Sequence, residues 1–102
     1  MTRPRQLYLV CYDICGEGAE ARWRRVYRAC RAFGDHLQYS VFRCALTDRQ
    51  LASFEEELQS VIDPTRDQVL LVPLGEADAA NSWSAWTIGF SVDEPERVVR
   101  IV

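Results

Sequence analysis

Leu7-Tyr8-Leu9-Val10-Cys11-Tyr12, closed by Asp13, is the stretch on which the fold turns. Six apolar, β-prone residues run without a polar interruption and stop at a carboxylate. A strand with one face in water alternates polar and apolar residues, because successive side chains point to opposite faces. This run does not alternate, so it predicts a strand covered on both faces. Gly16 and Gly18 break the chain behind it.

Working outward, Ala19 to Phe33 carries a helical period. At about 100° per residue, Ala19, Trp23, Val26, Cys30 and Phe33 fall within one stripe. Arg24, Arg28 and Arg31 cluster on the opposite face, with Arg25 on the flank and Arg22 at the edge of the apolar stripe. Gly34 follows as the residue that ends the helix in a left-handed conformation. Leu37 to Ala45 reads as a second strand, in which Tyr39, Val41 and Phe42 supply β propensity. Thr47-Asp48-Arg49-Gln50 has the form of a capping box and opens a second helix. Leu51, Phe54, Leu58 and Val61 line its buried face, and Asp63-Pro64 ends it. Asp67 to Leu74 is a third strand built around Val69-Leu70-Leu71-Val72. Glu76 to Ser82 is a polar loop, Trp86 to Phe90 a short fourth strand and Val98 to Val102 a short fifth.

Strand, helix, strand, helix, strand, strand and a small terminal strand predict one α+β domain over residues 1–102. The order fits the ferredoxin-like β-α-β-β-α-β plait, with both helices on one face of an antiparallel sheet. That arrangement leaves the other sheet face bare, yet the first and third strands are apolar on both sides. The economical cover is a second copy of the chain, so the pattern predicts a homodimer.

Hydrophobic residues make up 48% of the 102 and charged residues 26%, the balance of a soluble globular domain. No apolar run approaches the roughly 18 residues of a membrane span. The basic stretch Met1 to Gln6 resembles the start of a signal peptide, but the apolar run behind it is too short. The expected compartment is the cytoplasm, with no membrane partner. The net charge of −3 argues against a uniformly basic nucleic-acid binder. All 12 basic residues are arginines, a bias that genomic base composition can produce alone, and five of them lie between Arg22 and Arg31. Cys11, Cys15, Cys30 and Cys44 match no C-x-x-C zinc spacing, and His36 is the only histidine. They read as buried free thiols.

Asp13 stands out among the candidate functional residues. It ends an apolar strand ahead of a glycine-containing loop, and carboxylates at such ends supply the hard oxygens that Mg²⁺ prefers. One carboxylate is a poor site, whereas a two-fold axis near Asp13 would bring two together. The alternative is a solvated strand-end or capping carboxylate. Arg24, Arg28 and Arg31 read either as a phosphate-tracking stripe or as a solvated face paired with Glu17, Glu20 or Asp35. His36 reads as a surface turn residue or as a phosphate or backbone contact. Tyr39 and Phe42 have opposite parity, so one belongs in the core and the other at a dimer surface or against a base. Trp83 and Trp86 read as packing or interface anchors.

Together these pieces are more specific than any one of them. Leu9-Val10-Cys11-Tyr12-Asp13-Ile14, an arginine-bearing helix, Gly34 and then Gln38-Tyr39-Ser40-Val41-Phe42 resemble the CRISPR-associated Cas-two family of adaptation proteins. Leu46-Thr47, Ile62-Asp63-Pro64, Asp67-Gln68-Val69 and Pro73-Leu74 continue the likeness, which covers residues 7 to 75 well and the tail loosely. The resemblance implies a ferredoxin-like homodimer in which residues 76–102, and the terminal strand above all, pack on the partner. It implies a Mg²⁺-dependent endonuclease site on RNA or DNA, using Asp13 of both subunits as metal ligand and catalytic residue. Tyr12, Arg22, Arg25, Arg28, His36 and Phe42 then fall among the supporting or nucleic-acid-binding positions. It also implies a scaffold that bridges copies of the CRISPR adaptation integrase on duplex DNA during spacer acquisition. The chain departs from the family pattern at Cys15-Gly16-Glu17, where acidic residues are common, and at Arg43, where Glu is common.

Two classes therefore stand side by side: a metal-dependent nuclease on single-stranded RNA or duplex DNA, and a catalytically silent scaffold. A toxin-type ribonuclease and a ligand-sensing regulatory module share the fold and are the further alternatives.

Overall fold

The apolar N-terminal run forms β1 (Gln6–Asp13), one of the two inner strands of a four-stranded antiparallel sheet. The computed structural model describes residues 4–77, 84–89 and 99–101. After β1 come α1 (Ala19–Phe33), β2 (Asp35–Gln38), β3 (Val41–Leu46), α2 (Asp48–Val61) and β4 (Gln68–Glu76). The sheet order is β2-β3-β1-β4, the two interleaved βαβ halves of the ferredoxin-like plait. β5 (Ala85–Thr87) and β6 (Val99–Ile101) pair in parallel as a separate two-stranded sheet. Trp83, Phe90, Val98 and Val102 lie outside the described residues, as does most of the expected loop from Glu76 to Ser82.

The expected second strand, Leu37 to Ala45, is in fact a hairpin. Its chain reverses at Tyr39-Ser40, with Tyr39 at φ 29°, and Val41 pairs with Gln38. The imidazole Nε2 of His36 lies 2.7 Å from the Tyr39 carbonyl oxygen and braces the turn. A bulge between His36 and Gln38 absorbs the mismatch in register. This extra reversal completes the β-α-β-β-α-β order.

Tyr8, Val10 and Tyr12 of β1 point to the helix side, opposite Cys44, Phe42 and Val69. They pack with Val26, Ala29 and Cys30 of α1 and with Phe54 and Leu58 of α2 to form the core. α2 begins as its sequence predicts: Gln50 N–H donates to Thr47 Oγ1 at 3.1 Å, and Thr47 N–H donates to Gln50 Oε1 at 2.9 Å. Gly34 ends α1 for a reason other than handedness. Its backbone is extended, at φ −165°, but a Cβ there would strike Arg43 O and Cys44 Sγ. Trp23 lies at the margin of the apolar stripe and is 41% exposed rather than buried.

The opposite sheet face carries Leu9, Cys11 and Asp13 of β1, Val41, Arg43 and Ala45 of β3, and Leu70 and Val72 of β4. No described helix packs there. Leu70 is 51% exposed, and Leu9, Cys11, Val41 and Val72 are half-buried. The cysteines divide the same way. Cys30 and Cys44 are buried, and burial pushes both thiols up to about 12. Cys11 is half-buried, whereas Cys15 is exposed, against the expectation of a buried thiol.

Candidate nucleic-acid site at the end of the first strand

β1 delivers Asp13 to the sheet edge at its last residue, exposed and opposite Gln68 of β4. Its parity places it on the open face with Cys11 and Leu9, whereas Tyr12 beside it turns into the core. The loop behind Asp13 is held by a buried ion pair. Arg22 Nε donates to Asp67 Oδ2 at 2.7 Å, and the guanidinium also donates to the carbonyls of Cys15 and Glu17, each at 2.7 Å. Asp67 Oδ1 accepts from Cys15 N–H at 3.2 Å, and Oδ2 accepts from Asp63 N–H at 2.8 Å. The Asp67 side chain is fully enclosed. Its carboxyl is held at about 2, first by the Arg22 guanidinium and then by the two amide donors, with burial opposing them. Arg22 therefore clamps the loop that follows Asp13 onto the start of β4.

The remaining sequence candidates separate by environment. Phe42 is wholly buried. It stacks on Tyr12 with centroids 6.2 Å apart and on the His36 ring at 4.7 Å. His36 also meets the Tyr27 ring edge to face at 5.2 Å, so it packs in an aromatic cluster rather than standing in a surface turn. Tyr12 is buried, and its hydroxyl has no hydrogen-bond partner among the described residues. Burial and the neighbouring Cys30 and Tyr27 push that hydroxyl well above its ordinary range. Tyr39, at the hairpin tip, is the exposed member of its pair with Phe42. Arg25 and Arg28 are exposed and make no ion pair among the described residues, whereas Arg24 pairs with Glu20 at 3.3 Å. Arg43 pairs with Asp35 across the β2–β3 hairpin.

For Mg²⁺ the donor type is right and the number is short. Asp13 offers hard carboxylate oxygens, but Asp67 is committed to Arg22, and Asp63 to Thr65 and Arg66. No group of three His, Cys, Asp or Glu side chains converges among the described residues. Among the described residues one chain therefore brings too few donors together here, and the residues fit the ion only if a second Asp13 joins the first. Asp67 went unrecognised as part of the site in the sequence, where it marks only the start of a strand. The usable signal was Arg22, a guanidinium at the edge of an apolar stripe, which requires a buried acceptor.

Comparison with known proteins agrees with this architecture. The family described as CRISPR associated protein Cas2 matches residues 6–81. The chain is 48% identical over 67 residues to CRISPR-associated endoribonuclease Cas2 2 of Thermodesulfovibrio yellowstonii, covering 66% of this chain and 70% of that protein. It is 32% identical over 95 residues to CRISPR-associated endoribonuclease Cas2 1 of Rhodospirillum rubrum, covering 93% and 89%. The crystal structure of Streptococcus pyogenes Cas2 superposes with a TM-score of 0.64 at 30% identity, over 68% of this chain and 86% of that one. No helix among the described residues is long and apolar enough to cross a membrane. With the strand order and the matched span in agreement, the chain belongs to the Cas2 family of CRISPR-associated proteins.

Proposed function

We propose that the chain acts as a cytoplasmic homodimer in CRISPR adaptation, as a Mg²⁺-dependent endonuclease with Asp13 of each subunit at its centre. The observation that carries this reading is Asp13 itself, an exposed carboxylate with no committed partner among the described residues, at the end of an open, largely apolar sheet face. A second copy covering Leu9, Cys11, Leu70 and Val72 would remove that apolar surface from water. Because Asp13 shares their face, the same contact brings two carboxylates toward one axis. Bound between them, Mg²⁺ would neutralise charge on a phosphate and lower the pKa of an attacking water. The chain's own residues do the rest. The Arg22–Asp67 clamp fixes the loop behind Asp13, and Arg25 and Arg28, exposed and without an ion pair among the described residues, offer positive charge to a phosphate backbone. RNA as a substrate is supported by the endoribonuclease names of the Thermodesulfovibrio and Rhodospirillum relatives. The relative in Halalkalibacterium halodurans is named an endonuclease, which leaves DNA beside it.

A specific observation favours a second role. No group of three potential ligand side chains gathers at this strand end among the described residues, a thin donor set for an ion that prefers six oxygens. A scaffold that bridges the adaptation integrase on duplex DNA needs the dimer and the arginines but not the ion.

Cleavage of labelled single-stranded RNA and duplex DNA, with Mg²⁺ and with chelator, separates the two roles. The wild type is compared with Asp13→Asn, each confirmed dimeric by light scattering. Metal-dependent cutting that disappears in the Asp13→Asn dimer is the expected result. Equal cutting by both proteins, or none by the wild type, removes Asp13 from the chemistry and leaves the scaffold.

A further inference from the structure

Trp23 is the one large aromatic of α1 that the core leaves out, and its surroundings are built rather than incidental. Its ring lies parallel to Tyr27, with centroids 5.4 Å apart and planes at 15°. That contact covers part of the ring, yet 41% of the residue is exposed. Tyr27 is itself fixed edge-on against His36 at 5.2 Å and against Phe42 at 5.6 Å. Phe42 has no exposure at all. Four rings thus run from the buried core to one part-exposed indole, and little rotamer freedom is left for a ligand to quench.

The charge beside that face has a matching spacing. Trp23 and Tyr27 form one i,i+4 row on the helix, at the border between the apolar stripe and the basic face, and the next row carries Glu20, Arg24 and Arg28. Glu20, the acid nearest this flank in the helix, is met by Arg24 at 3.3 Å. Arg28 is exposed without an ion pair among the described residues. A part-exposed indole at the border of a basic helix face suits a ligand that is itself a flat ring on an anionic backbone. Duplex DNA hides its bases in the stack, whereas a single strand can present one.

We infer that the outer face of Trp23 is a stacking platform for an unpaired nucleobase of a single-stranded nucleic acid, with Arg28 on the neighbouring basic face drawing a flanking phosphate. This rests on the reading that nucleic acid is the ligand, and it adds a base-contacting site on the helix side, separate from Asp13 on the open face. A stacked base of this kind favours neither ribose nor deoxyribose, so RNA and DNA strands of one sequence bind alike through it.

The test is fluorescence anisotropy on the full-length protein. The probes are short labelled single strands of mixed sequence, as RNA and as DNA, the same DNA strand made abasic, and a duplex of equal charge. Trp23→Ala is expected to weaken single-strand binding by about tenfold, the change that corresponds to about 1.4 kcal/mol. Duplex affinity is expected to stay unchanged, and Trp23→Phe to recover most of the loss. The abasic strand should bind the wild type as weakly as the natural strand binds Trp23→Ala, and should not be weakened further by that substitution. Natural strands that bind wild type and Trp23→Ala equally, while the wild type still binds nucleic acid, overturn the platform and leave the proposed function standing. A wild type that binds neither single strand nor duplex overturns both.

Discussion

Replacing Asp67 with Asn removes one charge from an enclosed, four-donor pocket without changing its size. The Asp67 carboxylate accepts from Arg22 Nε at 2.7 Å and from Asp63 N–H at 2.8 Å on one oxygen. On the other oxygen it accepts from Arg22 Nη2 at 3.3 Å and from Cys15 N–H at 3.2 Å. An amide cannot serve both ends. Whichever way Asn turns, its NH₂ group meets two N–H donors, and its oxygen meets the other two without a full charge.

The magnitude follows from the carboxyl group's own titration. Folding lowers its pKa from 3.8 to about 2, which at 1.36 kcal/mol per pH unit contributes about 2 kcal/mol at neutral pH. Hydrogen bonds to charged groups fall in the same range, at about 1.5–3 kcal/mol. The folded pKa is depressed, so this stability is complete above the unfolded value and is lost as pH falls toward the folded one. Asp67→Asn should therefore sit about 2 kcal/mol below the wild type at pH 7. The gap should shrink to about half of that at pH 3. Urea unfolding at pH 7, 5, 4 and 3, at one fixed protein concentration, measures both numbers. A gap that keeps its full size at pH 3 would place the cost in packing rather than in the charge, and no gap at pH 7 would refute the clamp itself.

Three further substitutions probe other parts of the structure. Thr47→Ala should lower stability by about 1 kcal/mol in thermal or urea unfolding, because it strips the cap from Gln50 N–H. Gly34→Ala should leave little folded protein by circular dichroism, since its Cβ would lie about 2.5 Å from Cys44 Sγ and closer still to Arg43 O. Leu70→Asp, at an exposed site on the open sheet face, should convert a dimer into monomer by light scattering while preserving the circular-dichroism spectrum. An unchanged mass would place the partner contact elsewhere.

Local patterns were legible where local chemistry decides them. The helix Ala19–Phe33 and the Thr47–Gln50 capping box stand in the structure as the residue spacing predicts. The hairpin at Tyr39-Ser40 was not legible, because two-residue turns usually announce themselves with Gly, Asn or Asp and this one carries none. The β-prone residues on either side merge into one apparent strand. Gly34 was expected at its position for its conformational freedom, but its requirement comes from β3, nine residues further along the chain at Arg43. The pairing of Arg22 with Asp67 spans 45 residues, and no local window contains both. Asp13 was visible as a candidate because strand polarity alone puts a terminal carboxylate at a sheet edge. Its face, and the commitment of Asp63 and Asp67 to other partners, needed the fold.

These partitions constrain how the proposed chemistry and assembly depend on each other. The helix side of the sheet spends its polar groups on structure: Arg22 on Asp67 and two carbonyls, and His36 on the hairpin turn. The open side carries apolar residues, the Arg43–Asp35 pair and, at its rim, the Asp13 carboxylate, which has no partner among the described residues. A monomer would expose both the apolar surface and a cation site with half its donors. The free energy that drives a second copy onto Leu9, Leu70 and Val72 would come from burial, at roughly 25 cal/mol per Å² of apolar surface, and owes nothing to the ion. Dimerisation can therefore bring two carboxylates together against their mutual repulsion, because the cost is met by surface several residues away. Asp13→Asn should spare the dimer for that reason, and Leu70→Asp should remove the site without touching a ligand.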